Sequence, residues 1–360
     1  MIIRQTRKIK KMLSVGIAWM VIGVLQEIYT FVVLKEYEVL PLEYGFVSNL
    51  VILIIALFIS GIMGGYVISF LLEDWLRNKP FKTVLTYIFI LYTFVFFLSA
   101  FTGTYISASS SDSLTHGDSI LSNALKEAVG IQYIRHYFFW LVVTLGTMVF
   151  FQISDKYGPG GIRSLLMGKY FRPKPDDRIF LFLDLRSSTS IAEKLGEEKY
   201  FRFIRQCYRD MTNCILDNQG EIYQYVGDEI VVSWPSQTGL KNAQCISCYF
   251  DIKRMLGSQE DLYLELFQQA PVFKAGLHIG RVTAGEIGVI KKDIAYSGDV
   301  LNTAARIQGA CNQFNLEILL SKDLVEKLPV MKDFMIKSMG EIELRGKSDK
   351  IEVFTLTELG

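Results

Sequence analysis

Two aspartates stand where a carboxylate is expensive to hold. Asp228 lies in "YQYVGDEIVVSW", Tyr223 to Trp234, with β-branched and aromatic residues on both sides of Gly227-Asp228-Glu229. Such flanks predict a buried hairpin, and a charge at its tip is desolvated unless something offsets it. Asp184 closes the apolar run of "RIFLFLDLRSSTSIAEKLG", just before Ser187, Ser188 and Thr189 open an amphipathic helix. Free backbone N–H groups gather at such a helix start, and the hydroxyls suit capping. An acid at a strand end beside a helix N-terminus also suits the joint binding of metal and phosphate. If the two acid-bearing strands are neighbours, their carboxylates repel and one pKa must rise. A hard cation such as Mg2+, held by one or two carboxylates plus substrate phosphates, removes that conflict. The pattern therefore predicts a two-ion phosphate site at Asp184 and Asp228. Glu229 reads as a turn cap or a solvent-facing group.

Three further stretches carry polar groups in ordered surroundings. "AGLHIGRVTAGEIG", Ala275 to Gly288, reads as strand, turn and strand, with His278 as a hydrogen-bonded structural residue. "DIAYSGDVLNTAARIQGACN" contains a helix on which Asn302 and Arg306, four apart, share one face. "GEIELRGKSDKIEVFTL" reads as a terminal hairpin presenting Arg345 and Lys347 around Gly346, a basic pair suited to a polyphosphate. The 5 cysteines all fall in this polar half, and Cys245 and Cys248 of "CISC" read as small buried thiols of a helix.

These groups need a scaffold, and the chain supplies two. At 360 residues it is long enough for about two domains. A formal charge of +1 excludes strong whole-chain attraction to nucleic acid. From Met12 to about Ser154 the chain is mostly apolar, and four segments reach the roughly twenty residues a span requires. They are placed at Met12–Leu34, Asn49–Leu72, Thr83–Thr102 and Ile134–Ile153. The basic N-terminus "RQTRKIKK" and the connection carrying Arg77, Lys79 and Lys82 predict cytoplasmic sides, against acidic first and third connections. Both termini are thus expected in the cytoplasm, in a multi-pass protein of the inner (plasma) membrane with the lipid bilayer as a partner. Gly61 and Gly65 form a GxxxG step for close helix approach, and Glu27 is an ionisable group within the first span. The expected organisation is a membrane domain over 1–154, a linker over 155–177 and a catalytic domain over 178–360. Gly158-Pro159-Gly160-Gly161 breaks the helix entering the linker, and "IRSLLMGKYF" within it reads as a short basic amphipathic helix.

Taken in order, "FLDLRSST", "YVGDEIVVSW", "GLHIGRVTAGEIG", "YSGDVLNTAARI" and "ELRGK" resemble the class III nucleotidyl cyclases, the adenylate and guanylate cyclase catalytic domain. The resemblance covers about Arg178 to Leu359. It implies a ferredoxin-like α+β cyclase fold, a mixed or largely antiparallel sheet with helices packed on one face, beside the α-helical membrane domain. It implies two Mg2+ ions (or Mn2+) at Asp184 and Asp228, with Asn302 positioning the ribose and Arg306 stabilising charge on the transferring phosphorus. It gives Arg345 or Lys347 the β- and γ-phosphates, and places Ser188 and Thr189 at the substrate. It also implies a homodimer with two shared sites, acids from one chain and Asn302 and Arg306 from the other.

Base choice departs from the pattern. In the family's adenylate cyclases a Lys and an Asp read adenine, and in its guanylate cyclases a Glu stands in place of the Lys. Here those positions hold Gln224 and Ala295. The missing Glu favours ATP over GTP, so the expected product is 3′,5′-cyclic AMP, with pyrophosphate released. The alternatives are a guanylate cyclase and a membrane receptor with a catalytically weak pseudo-cyclase domain.

Overall fold

The structure is a computed structural model that describes residues 2–38, 45–72, 79–110, 121, 125, 128–157, 167–168, 170–290, 292–343 and 350–359. Two compact units divide the chain, residues 2–156 and 157–360.

The first unit is helical: α1 (Ile2–Glu36), α2 (Phe46–Tyr66), α3 (Phe81–Ser110) and α4 (Ile131–Tyr157). Among the described residues three stretches have the length and apolarity to cross a membrane, Lys8–Glu36, Phe81–Thr102 and Tyr133–Ser154. The second expected span is the shorter apolar helix Leu50–Tyr66, because Val67–Leu72 leaves α geometry for a π-helical turn. Large side chains such as Leu25, Ile52, Phe94 and Val142 lie on the outside of this unit, a surface suited to hydrocarbon. Gly61 and Gly65 do serve close approach. A Cβ on Gly61 would stand 2.7 Å from the Gly16 Cα, and one on Gly65 would stand 2.8 Å from the Met12 Cα. With no hydrophobic effect between helices in lipid, such backbone contact is what dispersion needs. Trp19 Nε1 also donates to Thr147 Oγ1 at 3.1 Å, tying α1 to α4. Glu27 is half-buried on α1.

Of the amphipathic helix expected between the units, residues 162–166 and 169 lie outside the described residues. The described part, Met167, Gly168, Tyr170 and Phe171, forms turns and no helix, with Phe171 N donating to Gly168 O at 3.1 Å.

The second unit is built on one 8-stranded sheet. Its strands are β1 (Lys174–Leu185), β2 (Glu221–Val226), β3 (Glu229–Pro235), β4 (Phe273–Ile287), β5 (Asp293–Ser297), β6 (Ile318–Ser321), β7 (Phe334–Glu343) and β8 (Lys350–Glu358). The order is β2-β3-β1-β4-β6-β8-β7, with β5 paired to β4. Only the β4–β6 pair is parallel, so the sheet is mixed as expected. The first strand begins four residues before Arg178, at Lys174, because its leading end pairs with β4 as far as Ala284.

Helices cover both faces, which corrects the expectation of one. Alternation along β1 sends Ile179, Leu181, Leu183 and Leu185 to a core shared with α6 (Glu197–Asp217) and α8 (Gln244–Ser258). Between β1 and α6 lies the short α5 (Ser188–Leu195), and α7 (Ser236–Leu240) precedes α8. α9 (Glu260–Phe267) leads into β4, and its Tyr263 and Phe267 join the same core. Phe180 and Phe182 point the other way, onto Val300 and Ala304 of α10 (Asp299–Phe314). That helix seats directly on the sheet because Gly276 has no side chain. A Cβ there would come within 2.3 Å of Gln308 N and 2.6 Å of Ala304 O. A strand buried on both faces reads as a continuous apolar run, which is what "IFLFL" is. Each fully buried Leu, Ile or Phe contributes about 1.5–3 kcal/mol.

Candidate active site

β1 ends and β3 begins at the same end of the sheet. Asp184 on β1 is paired with Glu229 on β3, and in an antiparallel pair such residues share a face with close Cβ atoms. Gly227 and Asp228 form the two-residue turn between Val226 and Glu229. Gly227 takes a positive φ of 64° there, the conformation glycine supplies at least cost. The turn is pinned from α6, whose Tyr208 hydroxyl donates to Gly227 O at 2.9 Å.

The electrostatics follow from this convergence. Burial, the adjacent Asp228 charge and a hydrogen bond with it all raise the Asp184 pKa, against an opposing pull from Lys274. Glu229 is pushed up to about 7, by burial first and then by Asp184 and Asp228. It is therefore a third carboxylate beside the pair, where the sequence reading expected a turn cap or a solvent-facing group. Tyr200, pushed up to about 12 by burial and then by Asp228 and Asp184, borders the same charges and is hydrogen-bonded with Ser188. Two donors hold one Asp184 oxygen: Lys274 Nζ at 3.3 Å and Gln308 Nε2 at 3.2 Å from Oδ2. Lys274 lies directly across from Asp184 on β4, in a site that leaves it only 7% exposed. Strand alternation in "FKAGLHIG" places Lys274 on this face, a signal that needs the β1–β4 register to be read.

The hairpin is buried on one arm only. β3 is buried, whereas β2 is the edge strand, with Gln224, Tyr225 and Val226 exposed. An edge strand has no neighbour to cover it, which the apolar flanks of the turn do not reveal. Gln224 pairs with Val231, so both sit on the face of Phe182. Ala295 lies on β5 opposite Gly285 and is half-buried. Ser188 opens α5 half-buried, and Thr189 is exposed. Ser187 takes a left-handed φ of 58° and its side chain makes no capping bond. The hydroxyl cluster thus leaves the first N–H groups of α5 without a side-chain cap.

Asn302 and Arg306 lie on the side of α10 turned from the sheet. The inward face holds Val300, Thr303, Ala304, Ile307 and Gln308, while Asn302 is exposed and Arg306 half-buried. Arg345 and Lys347 lie outside the described residues. His278 is buried with Nδ1 2.8 Å from Ser321 Oγ, a structural partner as its apolar surroundings suggest. Cys245 and Cys248 are fully buried on α8, and burial raises both thiol pKa values.

Converging carboxylates, here with burial and the Asp228 charge raising the Asp184 pKa, form a donor set for a hard divalent cation. Among the described residues no three His, Cys, Asp or Glu side chains group closely enough to hold a metal by themselves. Two acids with ligand positions left for phosphate oxygens and water is the arrangement Mg2+ favours beside a nucleotide, so the residues fit such an ion.

Residues 173–358 match the family described as the adenylate and guanylate cyclase catalytic domain. Adenylate cyclase 2 of Rhizobium meliloti (strain 1021) is 34% identical over 219 residues, which are 61% of this chain and 60% of that protein. Guanylate cyclase 2D of Rattus norvegicus is 24% identical over 202 residues, 54% of this chain and 18% of its own length. The match thus spans less than two thirds of either relative's own length. A solved bacterial light-regulated adenylyl cyclase superposes with a TM-score of 0.51 at 20% identity, covering 69% of this chain and 73% of that one. That likeness carries the fold.

Proposed function

This chain belongs to the family of adenylate and guanylate cyclase catalytic domains, and on that premise we propose that it converts ATP to 3′,5′-cyclic AMP and pyrophosphate. The observation that carries the reading is the convergence of Asp184 and Asp228 at one end of the central strands, where burial and then the Asp228 charge raise the Asp184 pKa. In the reaction the ribose 3′-oxygen bonds to the α-phosphorus, the bond from that phosphorus to the bridging oxygen breaks, and pyrophosphate leaves. The hydroxyl proton passes to solvent. Bound at the two aspartates, Mg2+ or Mn2+ would neutralise phosphate charge and acidify the 3′-hydroxyl.

The chain's own residues supply the rest. Asp184 and Asp228 hold the divalent ions, and Lys274 and Gln308 fix the orientation of Asp184 by holding Oδ2. The uncapped start of α5 at Ser188 and Thr189 offers backbone N–H donors to phosphate. Asn302 orients the ribose. Arg306 stabilises charge gathering on the equatorial oxygens, an electrostatic contribution. Arg345 or Lys347 takes the terminal phosphates. Asn302 and Arg306 point away from their own sheet, which supports a homodimer in which each site draws its acids from one chain and this pair from the other. Relatives named for either base are similar to this chain, and Gln224 in place of a Glu favours ATP. The apolar helices anchor the chain in the inner (plasma) membrane through four spans, the shorter Leu50–Tyr66 helix among them, with both termini cytoplasmic. A guanylate cyclase is the second reading, which the amide of Gln224 also accommodates because it both donates and accepts.

The experiment is direct. Purified chain with Mn2+ is offered ATP, GTP, CTP and UTP separately, and products are identified by mass. Cyclic AMP should dominate, and Asp228→Ala should abolish it, with at least a hundredfold loss. No cyclic product from any nucleotide would refute the proposal.

A further inference from the structure

One buried cation lies on the catalytic face but outside the acid cluster. Arg178, six residues before Asp184 on β1, is 1% exposed. Its Nη1 donates to Ser233 Oγ on β3 at 2.9 Å and also to the Tyr296 hydroxyl on β5. Its Nη2 donates to Glu221 on β2. Its Nε stands 3.2 Å from Asp176 Oδ2, an ion-pair contact without hydrogen-bond geometry. The guanidinium also lies 4.6 Å from the centre of the Tyr296 ring. One side chain therefore ties β2, β3 and β5 to β1. A fixed planar fork of five donors can do this, and an ammonium cannot.

Two of those strands carry the positions assigned above to base reading. Ala295 is the immediate neighbour of Tyr296, and Gln224 is three residues from Glu221 on the edge strand. The register of β2 shifts between Ile222 and Gln224. Tyr223, at that shift, packs against Tyr296 at 5.0 Å and Phe180 at 6.3 Å between ring centres. Its hydroxyl lies 3.4 Å from Tyr296 N. Where Gln224 stands relative to β5 is thus set by the bulge, the aromatic packing and the arginine. Among the described residues the edge strand β2 has β3 on one side and no strand on the other, so side-chain ties carry more of its placement than they would at a central strand.

We propose that Arg178, acting through Glu221 and Tyr296, is a positioning residue that sets which purine the cyclase accepts. It touches no substrate. It fixes the separation and orientation of β2 and β5, between which the base would be read, while the acid cluster is held by Lys274, Gln308 and Tyr208. This rests on the cyclase reading and on the assignment of Gln224 and Ala295 to the base.

The test uses the full chain in detergent or nanodiscs, with steady-state kinetics on ATP and GTP separately. The mildest variant is Tyr296→Phe, which removes one hydroxyl, and Arg178→Lys keeps the charge but loses the fork. Each should raise KM for the preferred nucleotide severalfold and shift the ATP-to-GTP ratio of kcat/KM at least fivefold. kcat at saturation and the thermal midpoint should stay near wild type in Tyr296→Phe. A ratio within twofold of wild type in that variant overturns the proposal, as does an equal loss on both nucleotides. If Arg178→Lys fails to fold, Tyr296→Phe decides alone. A wild-type chain that cyclises neither nucleotide overturns the underlying function instead, a result distinguishable from either.

Discussion

Glu229 is the residue whose surroundings the sequence conceals and whose chemistry is most readily probed. Its carboxyl is pushed from an ordinary 4.5 to about 7 by burial and by Asp184 and Asp228. Between those values the folded chain holds more protons than the unfolded one, so stability falls as pH rises through that window. Above about pH 7 the penalty is complete, and below about 4.5 it is absent. Without divalent ions, Glu229→Gln should therefore raise the thermal midpoint by several degrees at pH 8 and leave it nearly unchanged at pH 4.5. Scanning calorimetry in EDTA at both values checks this, and an equal shift at both would remove the electrostatic account. The acids Asp184 and Asp228 are legible because each interrupts an apolar run. Glu229, Lys274 and Gln308 are not, since polar residues in strands and helices mostly face water. Only the β1–β3 and β1–β4 registers and the seat of α10 bring them together.

At the scale of elements, the pairing of β4 with α10 decides the geometry of the site, because that helix delivers both Gln308 and the Asn302–Arg306 face. Gly276 permits the contact. Gly276→Ala would force its Cβ into backbone atoms of Ala304 and Gln308, and backbone cannot rotate away as a side chain can. Overpacking of this kind costs about 1–3 kcal/mol, which in a domain of this size lowers the midpoint by roughly 2–12 °C. Activity at 20 °C should fall more than stability explains, since Gln308 would lift from Asp184. Circular dichroism melts beside initial rates test this, and a variant matching wild type in both would show that the helix floats. "GLHIGRV" announces a Gly-rich strand but not what its glycines admit: the turn expected within Ala275–Gly288 is absent, since β4 runs unbroken from Phe273 to Ile287, and the second covered face is not legible either. The same holds for β2: its residues alternate as a buried strand should, and only the topology makes it an edge.

At the scale of the molecule, hydropathy alone divides the chain near residue 154, and the contact units divide it after Lys156. A division of this kind shows in hydropathy because apolar and aqueous surroundings select opposite surfaces. Subunit count is not written in hydropathy, and here the argument passes through geometry. Each chain carries the acids at one end of its central strands and turns Asn302 and Arg306 outward on α10. If catalysis joins the acids of one chain to the outward pair of another, chains broken at different halves should repair one another. Co-expressing Asp228→Ala with Asn302→Ala chains gives, at random pairing, about half mixed dimers by two-fold symmetry. Each mixed dimer has one site with every group intact and one doubly broken. Activity should then reach about a quarter of wild type, although each variant alone is nearly silent. Untagged mixtures assayed in membranes measure this directly, and differently tagged chains purified in tandem, which are all mixed dimers, should reach about half of wild type per dimer. Mixed dimers no more active than either parent would mean that a single chain completes its own site, and the outward face of α10 would need another role.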